Sequence, residues 1–183
     1  SDSAWIEIEE YAEKLETPMI YVGGESAGKI KTKDQMKHSA ICNQFYVYSG
    51  AENMVNMMKY ICSQVLHEEM DYQEPIFIPW EGIFHPDSKE IFQSTKDYFA
   101  WKEPSGKGTI ALLVSRTAWL SGDIEVERAL IKHIEKNGYT ALPIFSYAMA
   151  DIDLGAKGTA YAIETFCFDG YGQPIVDGVI RMT

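Results

Sequence analysis

The sequence predicts an α/β fold built on parallel, doubly wound sheets. Three observations carry that expectation. Thr109-Ile110-Ala111-Leu112-Leu113-Val114 is a near-continuous apolar run, the pattern of a strand covered on both faces. Tyr139 to Phe145 is a second such run, and the amphipathic stretch Asp123 to Asn137 lies between the two. A further helix and strand, Lys157 to Phe168 and Val176 to Met182, continue the alternation, so strand, helix, strand, helix, strand reads as a Rossmann- or flavodoxin-like arrangement with helices on both faces.

The elements follow in order. Ala4 to Leu15 reads as a helix capped by Asp2 or Ser3, with Ile6, Ile8, Tyr11, Ala12 and Leu15 on an approximate apolar face. Pro18 breaks the pattern, and Met19 to Val22 reads as a short buried strand ending at Gly23-Gly24. Gln35 to Phe45 has helical character. Ala51 to Glu69 is a stronger helix, with Met54, Val55, Met58, Ile61, Cys62 and Val65 near helical spacing. Two prolines bracket Ile76-Phe77-Ile78, an extended connector or edge strand. Ser88 to Trp101 is the next expected helix. Glu103-Pro104-Ser105-Gly106-Lys107-Gly108 is the clearest linker, so the expected division is 1–103 and 104–183. Beyond it, Ser121 or Asp123 should cap the helix that Gly138 closes.

Composition bounds the function. The chain has 183 residues and a net charge of −11, which argues against nucleic acid and anionic membranes as general partners. No apolar run approaches the roughly 20 residues of a membrane helix. Cys42, Cys62 and Cys167 form no CxxC pair, which suits a reducing cytoplasm better than a disulfide framework. The chain opens Ser1-Asp2-Ser3 and closes inside an apolar-alternating segment, so it reads as a piece of a longer protein.

Several segments carry candidate chemistry. Gly23 to Lys29, G-G-E-S-A-G-K, has phosphate-loop spacing, but Ile30 stands where the magnesium-binding hydroxyl belongs and Glu25 would face the phosphates. A glycine-rich turn is the plainer reading. His67-Glu68-Glu69 begins like a zinc-protease helix without the second histidine. Met54, Met57 and Met58 form a core or interface stripe rather than a soft-metal site.

Gly82-Ile83-Phe84-His85-Pro86-Asp87 is open to two readings. Asp87 can cap a helix from Ser88, with Glu90 completing a capping box. Alternatively, His85, held extended by Pro86, can ligate a metal or take a proton. Arg116 and Trp119 follow an expected parallel strand, where ligands of open α/β sheets bind. Arg116 can clamp a carboxylate and Trp119 can stack on a flat ring, or both can simply pack beneath the loop.

Read in order, four stretches resemble the large subunit of the class I tetrapyrrole metal chelatases, the family that contains the large subunits of cobaltochelatase and of magnesium chelatase. They are Tyr46 to Asn53 with the helix through Tyr60, Pro79 to Asp87, Ile110 to Asp123, and Gly138 to Phe145, followed by the tail Ile175 to Ile180. Phe84 departs from the family's usual tyrosine. The resemblance implies ATP-dependent insertion of a divalent metal into a tetrapyrrole; the matching segments are shared by both kinds of enzyme, and cobalt is preferred to magnesium on general likelihood alone. It implies that AAA+ partner subunits bind Mg-ATP while this subunit binds the macrocycle. No cofactor is expected in the piece itself, and the metal is substrate. The resemblance suggests His85 as proton acceptor and Arg116 and Trp119 as macrocycle contacts. A non-catalytic scaffold that docks the partner subunits is the alternative.

Overall fold

A computed structural model describes residues 2–23 and 30–182. The phosphate-loop-like residues 24–29 lie outside the described residues. The chain divides into two compact units, Ser1–Ile78 and Pro79–Thr183.

The first unit carries α1 (Asp2–Lys14), α2 (Lys33–Tyr48) and α3 (Ala51–Gln64). A capping box starts α2: Gln35 N donates to Thr32 Oγ1 (3.1 Å) and Thr32 N donates to Gln35 Oε1 (3.2 Å). Cys42, Phe45 and Tyr60 are its buried centre, with Ile20, Met57 and Tyr72 packed around them. Burial in this core raises the Cys42 thiol to about 11 and the Tyr60 hydroxyl to about 12.

Among its described residues this unit has no strand, which corrects the expected strand at Met19–Val22 and the α/β reading of this segment. Helix side chains replace the missing strand partners. Tyr21 N donates to Ser39 Oγ (3.0 Å) and Gly23 N to Asn43 Oδ1 (2.9 Å), both on α2. On α3, Asn53 Oδ1 accepts from Ile76 N (2.9 Å), and Asn53 Nδ2 donates to the carbonyls of Ile76 and Ser49 (2.8 Å each). One turn on, Asn56 Oδ1 accepts from Gln73 N (2.9 Å). Each amide pairs partly buried backbone groups that have no strand partner. The residues before Pro79 therefore run extended without a sheet, and α3 stops at Gln64 rather than Glu69.

The second unit holds β1 (Gly82–Ile83), α4 (Thr95–Trp101), β2 (Thr109–Ser115), α5 (Arg116–Ser121), α6 (Glu125–Lys136), β3 (Thr140–Ser146), α7 (Gly158–Cys167) and β4 (Gly178–Arg181). The strand order is β1-β3-β2-β4. β2 pairs in parallel with β3 and β4, and the short β1 runs antiparallel on the far side of β3. The chain passes from β2 to β3 on one side and returns past β2 to β4 on the other. Right-handed crossovers then place α6 and α7 on opposite faces, and the core shows it. Ala111, Leu113, Leu142 and Ile144 face Ala162 and Phe166 of α7. Leu112, Val114, Ala141 and Phe145 face Ile131 and Ile134 of α6. The expected doubly wound α/β architecture is present in this unit.

Three local expectations are corrected here. Asp87 caps no helix. Ile83 and Phe92 exchange two backbone hydrogen bonds (2.9 and 2.8 Å), which holds that stretch extended, so the helix begins at Thr95 with Ser94 as its cap (Asp97 N to Ser94 Oγ, 3.1 Å). Neither Ser121 nor Asp123 caps α6, because residues 116–121 are already helical and Ser121 Oγ donates back to Ala118 O (3.0 Å). The segment Glu103–Gly108 is not the boundary. It lies inside the second unit, tied down by Ser105 N to Thr140 Oγ1 and Ser105 Oγ to Gly138 O (2.6 Å each).

Candidate functional site

In an open parallel sheet the strand ends that point away from the helix returns leave a crevice, deepest where neighbouring connections leave in opposite directions. Here that point is the carboxyl end of β2. Two cavities, of about 220 and 300 Å³, flank Ser115 and Met182. The first is lined by Ser115, Ser146, Ala148, Thr159 and Arg181. The second lies on the α6 side, against Ala118, Asp123, Glu125, Val126 and Glu127.

The first cavity's hydroxyls form a chain. Thr159 Oγ1 donates to Tyr147 O (3.2 Å), so Ser146 Oγ, 2.9 Å away, supplies the proton between the two hydroxyls. Arg181 is the cation of this wall, and the guanidinium fork suits planar carboxylates.

The polypeptide beside the crevice is anchored at three consecutive residues. Arg116 Nε donates to Pro79 O (2.9 Å), and its guanidinium carbon sits 4.1 Å from the centre of the Trp80 ring. Trp80 meets Tyr147 edge-on (5.5 Å), and its Nε1 has no hydrogen-bond partner among the described residues. Glu81 Oε1 accepts from the backbone N–H groups of Lys157 and Gly158 (2.9 and 2.7 Å), so a carboxylate of the chain itself sits at the positive end of α7. Gly158 fits that junction because its φ is +82° and a β-carbon would lie 2.7 Å from the Ala150 nitrogen. Burial lowers the Arg116 guanidinium to about 10, while the negative charge of Glu81 pulls it back up.

These contacts place the sequence candidates. Arg116 does lie at the carboxyl end of β2, but it is 4% exposed and committed to Pro79 and Trp80. Trp119 lies flat on Phe145, with ring centres 3.9 Å apart and planes within 9°. One face of its ring is thereby taken by the core.

His85 is not near them. It follows β1, which runs antiparallel to β3, so it sits towards the amino end of the sheet. Its Nδ1 accepts from Asp87 N (3.2 Å), which leaves the proton on Nε2 to donate to Glu135 Oε1 (3.0 Å). Lys102 pairs with the same carboxylate oxygen, and Trp101 covers the ring at 5.1 Å. His85 is thus a buried lock joining the Gly82–Asp87 turn to α4 and α6. Substituting alanine orphans Asp87 N and leaves the Glu135 carboxylate to Lys102 alone, and should cost about 2 kcal/mol in urea unfolding. Unchanged stability in His85→Ala would remove this role.

Sequence reasoning missed Glu81 and Arg181. Arg181 had an available signal, since it ends an apolar strand expected to be parallel. Glu81 had none, because its partners lie more than seventy residues away (separations 76 and 77). Among the described residues, no three His, Cys, Asp or Glu side chains converge to hold a metal ion directly. No described helix is long and apolar enough to cross a membrane.

The second unit is therefore an open, doubly wound α/β domain with a ligand-type crevice at its strand ends. Residues 43–183 match the CobN/Magnesium Chelatase family model, and the chain belongs to that family. It is 27% identical over 154 residues to an uncharacterized protein of Methanocaldococcus jannaschii, covering 82% of this chain and 12% of the relative. It is 27% identical over 120 residues to a magnesium-chelatase subunit of Chlorobaculum parvum, covering 63% of this chain and 9% of the relative. The catalytic subunit of cobaltochelatase from Mycobacterium tuberculosis aligns with a TM-score of 0.47 at 21% identity, over 66% of this chain and 10% of that one. The chain thus spans about a tenth of the length of the relatives it matches.

Proposed function

We propose that this chain is a segment of the large, tetrapyrrole-binding subunit of an ATP-dependent metal chelatase. Such an enzyme inserts a divalent metal into a porphyrin- or corrin-type ring. The family match over residues 43–183 is the observation that carries this reading. In it the metal is substrate, cobalt in preference to magnesium, Mg-ATP belongs to AAA+ partner subunits, and the complex works in the cytoplasm.

The crevice at the carboxyl end of β2 is one wall of the macrocycle site. A flat apolar ring with acidic side arms needs apolar surface and a reachable cation. Met182 and Ala148 supply the first, and Arg181 supplies the second. Arg116 and Trp119 act as positioning residues that hold the wall, and His85 acts on the other end of the sheet as a structural lock.

Titrating the chain into a carboxylated porphyrin and following the Soret band tests this. A saturable shift is expected, and Arg181→Ala should weaken it about tenfold by removing a charge-assisted hydrogen bond. A shift that ignores Arg181→Ala assigns the carboxylate contact elsewhere, and no shift up to the solubility limit removes the wall. The burial of Arg116 and the stacking of Trp119 on Phe145 favour one second reading, a non-catalytic module that docks the partner subunits. An unresponsive Soret band together with retained binding to an AAA+ subunit would support it.

A further inference from the structure

We propose that the cavity between the first turns of α2 and the end of α3 binds a small amphipathic carboxylate, an apolar body carrying one anionic head. The cavity measures about 500 Å³, within the range of small-molecule sites. Met19, Ile20 and Val65 supply its apolar lining. Lys37, His38 and His67 bring cationic or proton-donating side chains to the same space. Asp34, in the first turn of α2, is the single carboxylate among the lining residues. The whole chain carries a net charge of −11, so a cavity with this balance is a local exception, and it suits an anion held over apolar surface.

Two of the donors are fixed by the fold. Tyr60 is 2% exposed, and among the described residues its hydroxyl has one partner, His38 Nδ1, at 2.8 Å. Burial raises that hydroxyl to about 12, so it stays protonated. A phenol proton with no other acceptor sets the imidazole tautomer: Nδ1 accepts, and the ring's own proton rests on Nε2. His38 therefore offers the cavity a donor of set polarity. His67 is the second. It lies just past α3 in the left-handed region, with φ +58°, and Glu68 N reaches back to Cys62 O (3.0 Å). A left-handed residue past a helix end is most often glycine, which takes that conformation without strain. Histidine keeps an imidazole on the cavity at a cost in stability.

The site is independent of the porphyrin reading. It lies in the first unit, and its lining residues on α2 all precede residue 43, where the family match begins. Octanoate serves as the probe, with 1-octanol and octylamine as controls, followed by methyl and imidazole NMR of the full chain. Octanoate should shift the Ile20 and Val65 methyls and the His38 and His67 ring signals saturably, and leave the Ile83 and Ile144 methyls of the second unit unmoved. Octanol should bind at least about fivefold more weakly, because it lacks the charged head, and octylamine more weakly still. Lys37→Gln should weaken octanoate about fivefold. His67→Gly should weaken it about threefold while raising the melting temperature by about 2 °C, since the strain leaves with the side chain. Those opposite movements separate a ligand contact from a structural role. No saturable shift up to the solubility limit of octanoate, equal affinity for octanoate and octanol, or octanoate binding unchanged in both variants would each overturn the site.

Discussion

Replacing Asn53 with alanine should lower the unfolding free energy of the first unit by about 3 kcal/mol. The amide is 1% exposed and makes three hydrogen bonds with backbone groups of Ser49 and Ile76. Its removal leaves a donor and two acceptors, all partly buried, without their partner. Each orphaned buried group costs roughly 1–3 kcal/mol, moderated where water can enter. Asn53→Asp is the sharper variant. It preserves shape and the acceptor for Ile76 N, but it turns the donor that faces two carbonyls into a second acceptor. Urea unfolding of both variants, followed by far-UV dichroism, measures the effect. A loss under about 1 kcal/mol in Asn53→Ala would show that the extended segment is not held by this amide.

Trp119→Ala should destabilise the second unit by about 2–3 kcal/mol, at or below the low end for truncating large aromatics in a core, because the ring is only partly buried. The ring is stacked on Phe145, which is fully buried, and it also approaches Phe84 (6.0 Å). The void would open against the α6-side core, next to a strand whose end borders the crevice. This matters for reading any binding experiment, because a porphyrin signal lost in Trp119→Ala can report unfolding rather than a missing contact. Trp119→Phe separates the two. It retains most of the stacking, so stability should recover to within about 1.5 kcal/mol. Calorimetric melts of the three proteins give the comparison, and an alanine variant that melts with the wild type would mean the ring is free for ligand.

The second unit was largely legible in the sequence, and the first was not. Parallel strands such as Thr109–Ser115 announce themselves through local pattern, and so does α6 with its alternating faces. The extended runs around Tyr21 and Ile76 also look like strands locally. Their partners are side chains 18 to 23 residues away, and no periodicity encodes those. The same limit displaced the start of α4. Asp87-Ser88 has the composition of a helix start, but the pairing of Ile83 with Phe92 overrides it. For the candidate site, strand-end position pointed to the stretch around Arg116 and Trp119, which does follow β2. What it could not show was that Pro79, Trp80 and Phe145 had already claimed both side chains. The cavities open instead on Arg181 and Glu127.

The placement of β1 bears on how the protein is made. Gly82 pairs with Phe145, and Glu81 reaches Gly158, so the segment that opens the second unit is completed by residues synthesised much later. At a typical 5–20 residues per second, Gly82 waits roughly 3–13 s for its partner after leaving the ribosomal tunnel. Throughout that interval the apolar Ile83 and Phe84 have no sheet to join. Their exposure makes this stretch a natural client for chaperones during translation, and it predicts that abrupt slowing of synthesis between residues 90 and 140 would reduce the yield of folded protein.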